Sequence, residues 1–379
     1  MRRILPTVVV LLASCAVLTP HAQTAPPKPP PKKNPLLKLA KPWDEPAVLE
    51  AKRVEAQQRP LFQESEPLAF TLAADFKKIE KDRSPESTNR YPAVLTLVDA
   101  RGRELTLHVR IGPRGHLRRM SRTCDFVPLR VEFKGNDLDG TVFEGQTTLK
   151  LGTHCRDDND FDQYVLKEYL TYQLQRLVTP QSFRVRLARG TYVDAGSGKK
   201  LTTRFALWLE NDEDVARRMG GRSVELQRLQ FTDVDAAALD RMMLFNYMIG
   251  NTDFSLYALH NVKLVQDPTR MLYTVPYDFD LSGFVNPPYA APDRQLGIRT
   301  VLDRLYRGPC VPVERLDKSV APFRDHRTEM LSIIDEMKGL DASTRSTAKS
   351  YLEGFFKSVA PPNGVKKTFV DGCKQRPTM

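Results

Sequence analysis

The sequence predicts an α+β protein in two lobes, a β-rich half followed by a helical half. Three observations predict this. Short strand-like runs separated by turn signals recur between Leu68 and Leu209. Beyond Glu210-Asn211-Asp212 the apolar residues fall mostly at helical spacing. The chain has 379 residues, 41% of them hydrophobic, enough for a two-lobed core and too many for one small lobe. A net charge of +11 favours anionic partners such as nucleotides, acidic proteins or a membrane surface, and the same charge spread over a surface also serves solubility. Nucleic acid is not the expected partner.

Residues 1–22 read as a signal peptide: Arg2 and Arg3, the apolar run Ile4 to Leu12, then small residues leading to Pro20-His21-Ala22-Gln23-Thr24-Ala25. The run is too short to span a bilayer, and cleavage after Ala22 or Ala25 leaves a mature chain for which no transmembrane helix is expected. Leu12-Ala13-Ser14-Cys15 offers the alternative of a lipid anchor on Cys15, although Ala16-Val17-Leu18 carry the apolar run past it. Either way the protein is expected to be exported, to a periplasmic or extracellular space.

Five cysteines are present, and apart from Cys15 they form an even set, Cys124, Cys155, Cys310 and Cys373. Three pairings are possible. Cys124 with Cys155 and Cys310 with Cys373 is favoured, because each bridge then staples one half of the chain. No CxxC occurs and the six histidines are scattered, so no zinc site is expected.

Residues 23–59 read as linker and lead-in. Pro26 to Pro35 forms an extended, partly stiff tether, and Lys41 to Arg59 has helical composition without a strong apolar stripe, a loosely attached segment. The β-rich lobe is expected over 60–209. Leu68–Leu72, Ala93–Val98 and Leu105–Arg110 are strand-like, the last two joined by a turn at Asp99-Ala100-Arg101-Gly102. Arg114 and Gly115 follow, in a Gly/Arg-rich turn that could meet phosphates or be merely a turn. Further strands are expected at Leu129–Phe133 and Thr147–Leu151, then an amphipathic helix over Phe161–Leu177. Ser182–Leu187 and Thr203–Leu209 make a second hairpin around Asp194–Gly198, and Glu210-Asn211-Asp212 is the hinge between lobes.

The helical lobe is expected over 210–379. A helix capped by Asp233 or Asp235 buries Leu239, Met242, Met243 and Tyr247 and ends at Gly250. Asn251-Thr252-Asp253 then sits on a turn. Asn261 opens the strand Val262–Val265, and Asp278 and Asp280 follow the strand Leu272–Val275. Helices are expected at Pro322–Met337 and Ala342–Val359. A lone Asp in a turn is commonly a turn residue. Four Asp and Asn side chains at successive turning points, flanked by apolar elements, instead suit phosphoryl transfer, which needs a carboxylate near the attacking hydroxyl and oxygen ligands for a metal on the phosphates.

Gly250-Asn251-Thr252-Asp253, then Asn261, then Tyr277-Asp278-Phe279-Asp280-Leu281-Ser282-Gly283 resembles the core of the spore-coat CotH kinase-like family, and is similar to HipA-type kinases in its GNxD turn and later YD. The resemblance extends over roughly Arg114 to Gly283, through Arg114-Gly115, Leu149-Lys150-Leu151, Val165 to Leu170 and Trp208-Leu209-Glu210. It implies an atypical two-lobed protein-kinase-like fold, a catalytic Asp253, and Mg2+ or Mn2+ on Asp278 with Asn261 or Asp280. It also implies ATP or another nucleotide held by Lys150, Glu168, Arg114 and Glu210, with a protein hydroxyl as acceptor. The family's Asn follows its Asp more closely than Asn261 follows Asp253, and no HRD or DFG occurs. Rival readings are a dehalogenase-type phosphatase or a glycosyltransferase using Asp278 and Asp280, disfavoured by the helices after Gly283 and the absence of alternating strands and helices. Two more are a non-catalytic envelope scaffold and a kinase-fold enzyme transferring AMP.

Overall fold

The computed structural model describes residues 36–98 and 102–373. The signal segment, Cys15, the Pro26–Pro35 tether and the turn residues 99–101 lie outside them. Two short helices, α1 (Leu36–Leu39) and α2 (Pro46–Gln57), precede a run of strands: β1 (Leu68–Ala74), β2 (Tyr91–Val98), β3 (Glu104–Pro113), β4 (Leu129–Glu132) and β5 (Thr148–Gly152). The helix α3 (Phe76–Lys81) lies between β1 and β2. Then come the long helix α4 (Asn159–Val178) and the strands β6 (Val185–Asp194) and β7 (Lys200–Leu209).

These seven strands close into a barrel in the order β1-β2-β3-β4-β5-β7-β6. Every pairing is antiparallel except the seam, where β1 runs parallel to β6 with Leu68 opposite Ala188. Alternation dictates what fills it: Phe70, Leu72 and Ala74 of β1 point inward with Leu95, Leu107, Val131, Tyr192 and Trp208, while the residues between them on β1 and β2 are more exposed. Rings fill the interior, with Phe133 and Phe143 4.8 Å apart and Trp208 edge-on to Phe143. The α+β class is thus as expected, in the form of a closed barrel with helices.

The remaining elements are α5 (Asp212–Arg218), β8 (Arg222–Val224), α6 (Ala236–Ile249), the hairpin β9 (Val262–Gln266) and β10 (Leu272–Pro276), then α7 (Val313–Asp325), α8 (Arg327–Glu336) and α9 (Ala342–Ser358). A second core joins Leu166, Leu170 and Leu174 of α4 to Phe245, Phe279, Phe323 and Phe355. Val185 and Leu187 of β6 and Leu207 and Leu209 of β7 share it, so the expected boundary at 209/210 runs through common packing. Helix α4, expected to be amphipathic, is buried on nearly all sides, including Lys167, Glu168 and Gln175. It lies between the β6–β7 face and the helices α7 and α8, which leaves it little solvent face.

The lead-in is not loosely attached. Helix α2 lies on α5, and Arg59 Nε donates to Asp214 Oδ2 at 3.0 Å with both side chains buried. Arg184 donates to the carbonyls of Ala56 and Gln57, and Arg222 to those of Leu39 and Lys41 while stacking 4.2 Å from the Trp43 ring. Ordered packing therefore begins upstream of Pro60. The expected helix over Pro322–Met337 is two helices that meet at His326, and β8, three residues long, was too short to leave a periodic signal. Cys124–Cys155 and Cys310–Cys373 are disulfides, the expected pairing, which suits an oxidising compartment. Among the described residues no helix is long and apolar enough to cross a membrane.

Candidate functional site

Helix α6 ends where Gly250 adopts a left-handed conformation, φ 63°. Space enforces glycine there as well, because a Cβ would sit 2.0 Å from the Tyr351 hydroxyl. The turn beyond is built on side-chain amides. Asn251 donates to Asn246 Oδ1 and accepts from the Asp253 N–H at 3.0 Å, both asparagines being buried. Arg307 clamps the same turn through the carbonyls of Thr252 and Phe254.

This fixes Asp253, whose side chain remains 37% exposed. Asn261 Nδ2 donates to both the carbonyl oxygen and Oδ2 of Asp253, at 2.8 and 2.9 Å. His260 Nε2 lies 3.1 Å from the other carboxylate oxygen. That hydrogen bond raises the His260 pKa above its ordinary value against the opposing effect of burial, with the charges of Asp253 and Asp278 adding to it. His260 was not among the residues singled out from the sequence; its place beside Asn261 was the one available signal.

Asn261 and Asp278 meet because the hairpin register pairs Val262 with Pro276, which puts the two residues at one end of β9–β10. Both backbones are left-handed, φ 51° and 63°, conformations that Asn and Asp tolerate better than other non-glycine residues. The Tyr277 N–H donates to the Asn261 carbonyl, and the Asp278 N–H donates at 3.0 Å to the hydroxyl of Tyr172 on α4. Asp280 is buried and accepts from Tyr289 at 3.3 Å.

Glu168 on α4 completes an acidic chamber. Burial raises its pKa well above the usual carboxylate range, and the charges of Asp280 and Asp278 raise it further; Asp280 is raised by burial and by Asp278. Arg118 opposes both Glu168 and Asp280, and Arg114 adds a smaller opposing charge on Glu168. Arg118, from the β3–β4 connection, holds the Thr153 carbonyl, and its own charge is supported by Tyr289, Asp280, Glu168 and Asp278. Arg118, Glu168, Asp280 and Tyr289 line a cavity of 10 Å³, about the least that holds a water.

Lys150 does not pair with Glu168. Its ammonium donates to Asp212 Oδ1 at 2.6 Å, and Lys263 reaches the other oxygen at 3.1 Å. Burial lowers Lys150 to about 8, offset only partly by Asp212. Asp212, which caps no helix itself but opens α5, is close enough to take the role the sequence assigned to Glu168. Glu210 is not available to a ligand through its carboxylate: fully buried, it accepts four hydrogen bonds of 2.9–3.0 Å from Arg184 and Arg218. A hinge residue is read from position along the chain, which says nothing of the two arginines that fold back onto it. Arg114 is half-buried at the start of the β3–β4 connection, and its charge acts on Lys150, Glu168, Tyr172 and Tyr277.

Among the described residues no three His, Cys, Asp or Glu side chains are gathered as a metal-binding group. The side chains at and just beyond the hairpin end carry oxygens of the kind hard cations take: the carboxylates of Asp278 and Asp280, and Oδ1 of Asn261, whose amide nitrogen is already committed to Asp253. The charges of Asp278 and Asp280 on Glu168, and of Asp278 on Asp280, give a cation something to neutralise. Compared with known proteins, the chain matches no family model and no curated protein.

Proposed function

We propose that this chain is an exported CotH-like atypical kinase that moves a phosphoryl group from a nucleotide to a protein hydroxyl. The observation that carries the reading is the pair of hydrogen bonds from Asn261 to Asp253, at 2.8 and 2.9 Å, made at the hairpin end that also presents Asp278. Phosphoryl transfer is mostly positioning and electrostatics, and these residues supply both. The order of elements agrees with a two-lobed kinase-like arrangement: a barrel strand with Lys150, helix α4 with Glu168, a connection at Glu210–Asp212, the Asp253 turn, then the hairpin and Asp278.

Asp253, oriented by Asn261 and His260, would accept the proton of the attacking hydroxyl as its oxygen bonds to the terminal phosphorus and the bond to the nucleoside diphosphate breaks. Lys150 and Arg114 would face the donor's phosphates. Asp278 and Asp280, with Asn261 Oδ1, would hold Mg2+ or Mn2+, which when bound supplies neutralisation of phosphate charge. A second reading, a kinase-like envelope scaffold without transfer, is favoured by one observation: Lys150 is engaged by Asp212 and makes no pair with Glu168.

A thermal melt with and without ATP, in magnesium, manganese or chelator, separates the two. Binding to the native state raises stability by about 2.7 kcal/mol at a hundredfold excess over Kd. A metal-dependent rise lost in Asp278→Ala, with transfer lost in folded Asp253→Ala, supports the kinase; the mass added to an acceptor distinguishes phosphoryl from AMP. No response to any nucleotide supports the scaffold.

A further inference from the structure

Beside the acidic chamber lies a knot of opposite sign. Lys150 of β5 and Lys263 of β9 each take one oxygen of Asp212, at 2.6 and 3.1 Å. Both ammonium groups lie over the ring of Tyr277, 4.6 and 5.6 Å from its centre. Arg130 is opposite Lys150 in the β4–β5 register. Its charge and that of Arg114 act on each other, and Arg114 and Lys263 both act on Lys150. Among the described residues neither the Arg114 nor the Arg130 side chain makes a hydrogen bond or ion pair. The carboxylates facing this group are few: Asp212 is shared between two lysines, Glu132 is paired with Arg90 at 2.5 Å, and Glu225 bears on Lys263.

Four cations from three barrel segments and the hairpin thus act on one another, and only the two lysines contact the carboxylate they share. An ammonium buried beside like charge is costly unless an anion matches it. Asp212 offers two oxygens where a phosphate chain offers several, and so leaves the two arginines unmatched. We infer that this knot is a polyphosphate-binding site in which the Asp212 carboxylate stands in for the ligand, and that an incoming triphosphate displaces it onto Lys150, Lys263, Arg114 and Arg130. Lys263 and Arg130 thereby join the donor site, and Asp212 becomes a built-in competitor that weakens binding until the anion is multivalent. The inference deepens the phosphotransfer reading and rests on it for the nucleotide that would carry the triphosphate.

The test is calorimetric titration of the whole protein with inorganic triphosphate in chelator at fixed ionic strength, with sulfate as the monomeric control. Triphosphate is expected to bind and sulfate to bind far more weakly. Lys263→Met should weaken binding about tenfold or more, the scale of one charge-assisted hydrogen bond. Lys263→Arg should retain most of it, and Asp212→Asn should tighten it. Absence of triphosphate binding, equal binding by Lys263→Met, or weaker binding by a folded Asp212→Asn overturns the inference; if Asp212→Asn does not fold, the two Lys263 variants decide. Asp253→Asn and Asp278→Asn, run in parallel, separate the two readings. Triphosphate binding without transfer by the wild type sinks the kinase and leaves this site standing, whereas transfer without triphosphate binding does the reverse.

Discussion

Two regions of this molecule bury carboxylates, and they do so with opposite arithmetic. At the end of β7, Glu210 is fully buried and meets two guanidinium groups, Arg184 and Arg218, with every oxygen taken. In the acidic chamber, Glu168, Asp278 and Asp280 face Arg118, which also serves the Thr153 carbonyl, and Arg114 adds a weaker opposing charge on Glu168. The first is a closed account of charge, and it holds β6, β7 and α5 together. The second is left short of positive charge, and folding alone gives no reason for three acids to gather there. A buried acid with surplus cations reads as scaffold, and one with too few reads as a place for a ligand.

The largest test strikes the closed region. Glu210→Ala leaves two buried guanidinium groups without their partner, and urea unfolding should lose about 3–5 kcal/mol. A loss under about 1 kcal/mol would dissolve the contrast. Next is a buried group that avoids charge altogether. His154 is buried, stacked 4.4 Å from Phe126, and burial depresses its pKa from 6.5 to about 3. The unfolded chain binds a proton below pH 6.5 and the native chain does not, so the stability supplied by neutral His154 is complete above pH 6.5 and falls with pH towards 3. Between pH 6.5 and 5 the loss is about 2 kcal/mol. Melts of His154→Phe should lack that part of the acid slope.

Asp280→Asn opens the other side of the comparison. Removing one of three crowded acids should raise stability by about 1 kcal/mol, measured in urea, while abolishing any metal-dependent response to nucleotide. A fall in stability would mean that Arg118 already balances the chamber. The smallest effect belongs to a pair outside both regions: Lys338 and Glu66 are exposed and 3.1 Å apart, and breaking them should change the melting midpoint by less than about 0.5 kcal/mol equivalent.

What was legible in the sequence follows from what local pattern records. Alternation in Leu68–Leu72 and Ala93–Val98 placed strands that the barrel contains, and the even set of cysteines gave both disulfides. Asp253, Asn261 and Asp278 were visible because turn residues between apolar elements stand out. The partners of those residues were not. Arg118 comes from a loop more than a hundred residues before the hairpin, and Tyr289 and Tyr172 reach the site from elements with no pattern linking them to it. Lys150 was paired with Glu168 by order along the chain, whereas the cleft offers it Asp212. The helical composition of α2 was legible but its firm attachment was not, because it buries only Ala56 and is held through the carbonyls at its end, which hydrophobic periodicity does not register.

The seam of the barrel sets the order in which the chain can be completed. Most pairings in the barrel join consecutive strands and β5 waits for β7 across α4 and β6, but the longest wait is at the seam, where Leu68 of β1 pairs with Ala188 of β6, 120 residues later. A chain that emerges from its N-terminus can form the β1–β2–β3 meander early, yet β1 keeps one unpaired edge until β6 arrives. Closing so long a loop is slow, and an open edge is a template for another copy of itself. Rapid overproduction should therefore lose this protein to aggregation through β1, and slower synthesis should recover it even when the acidic chamber has been mutated.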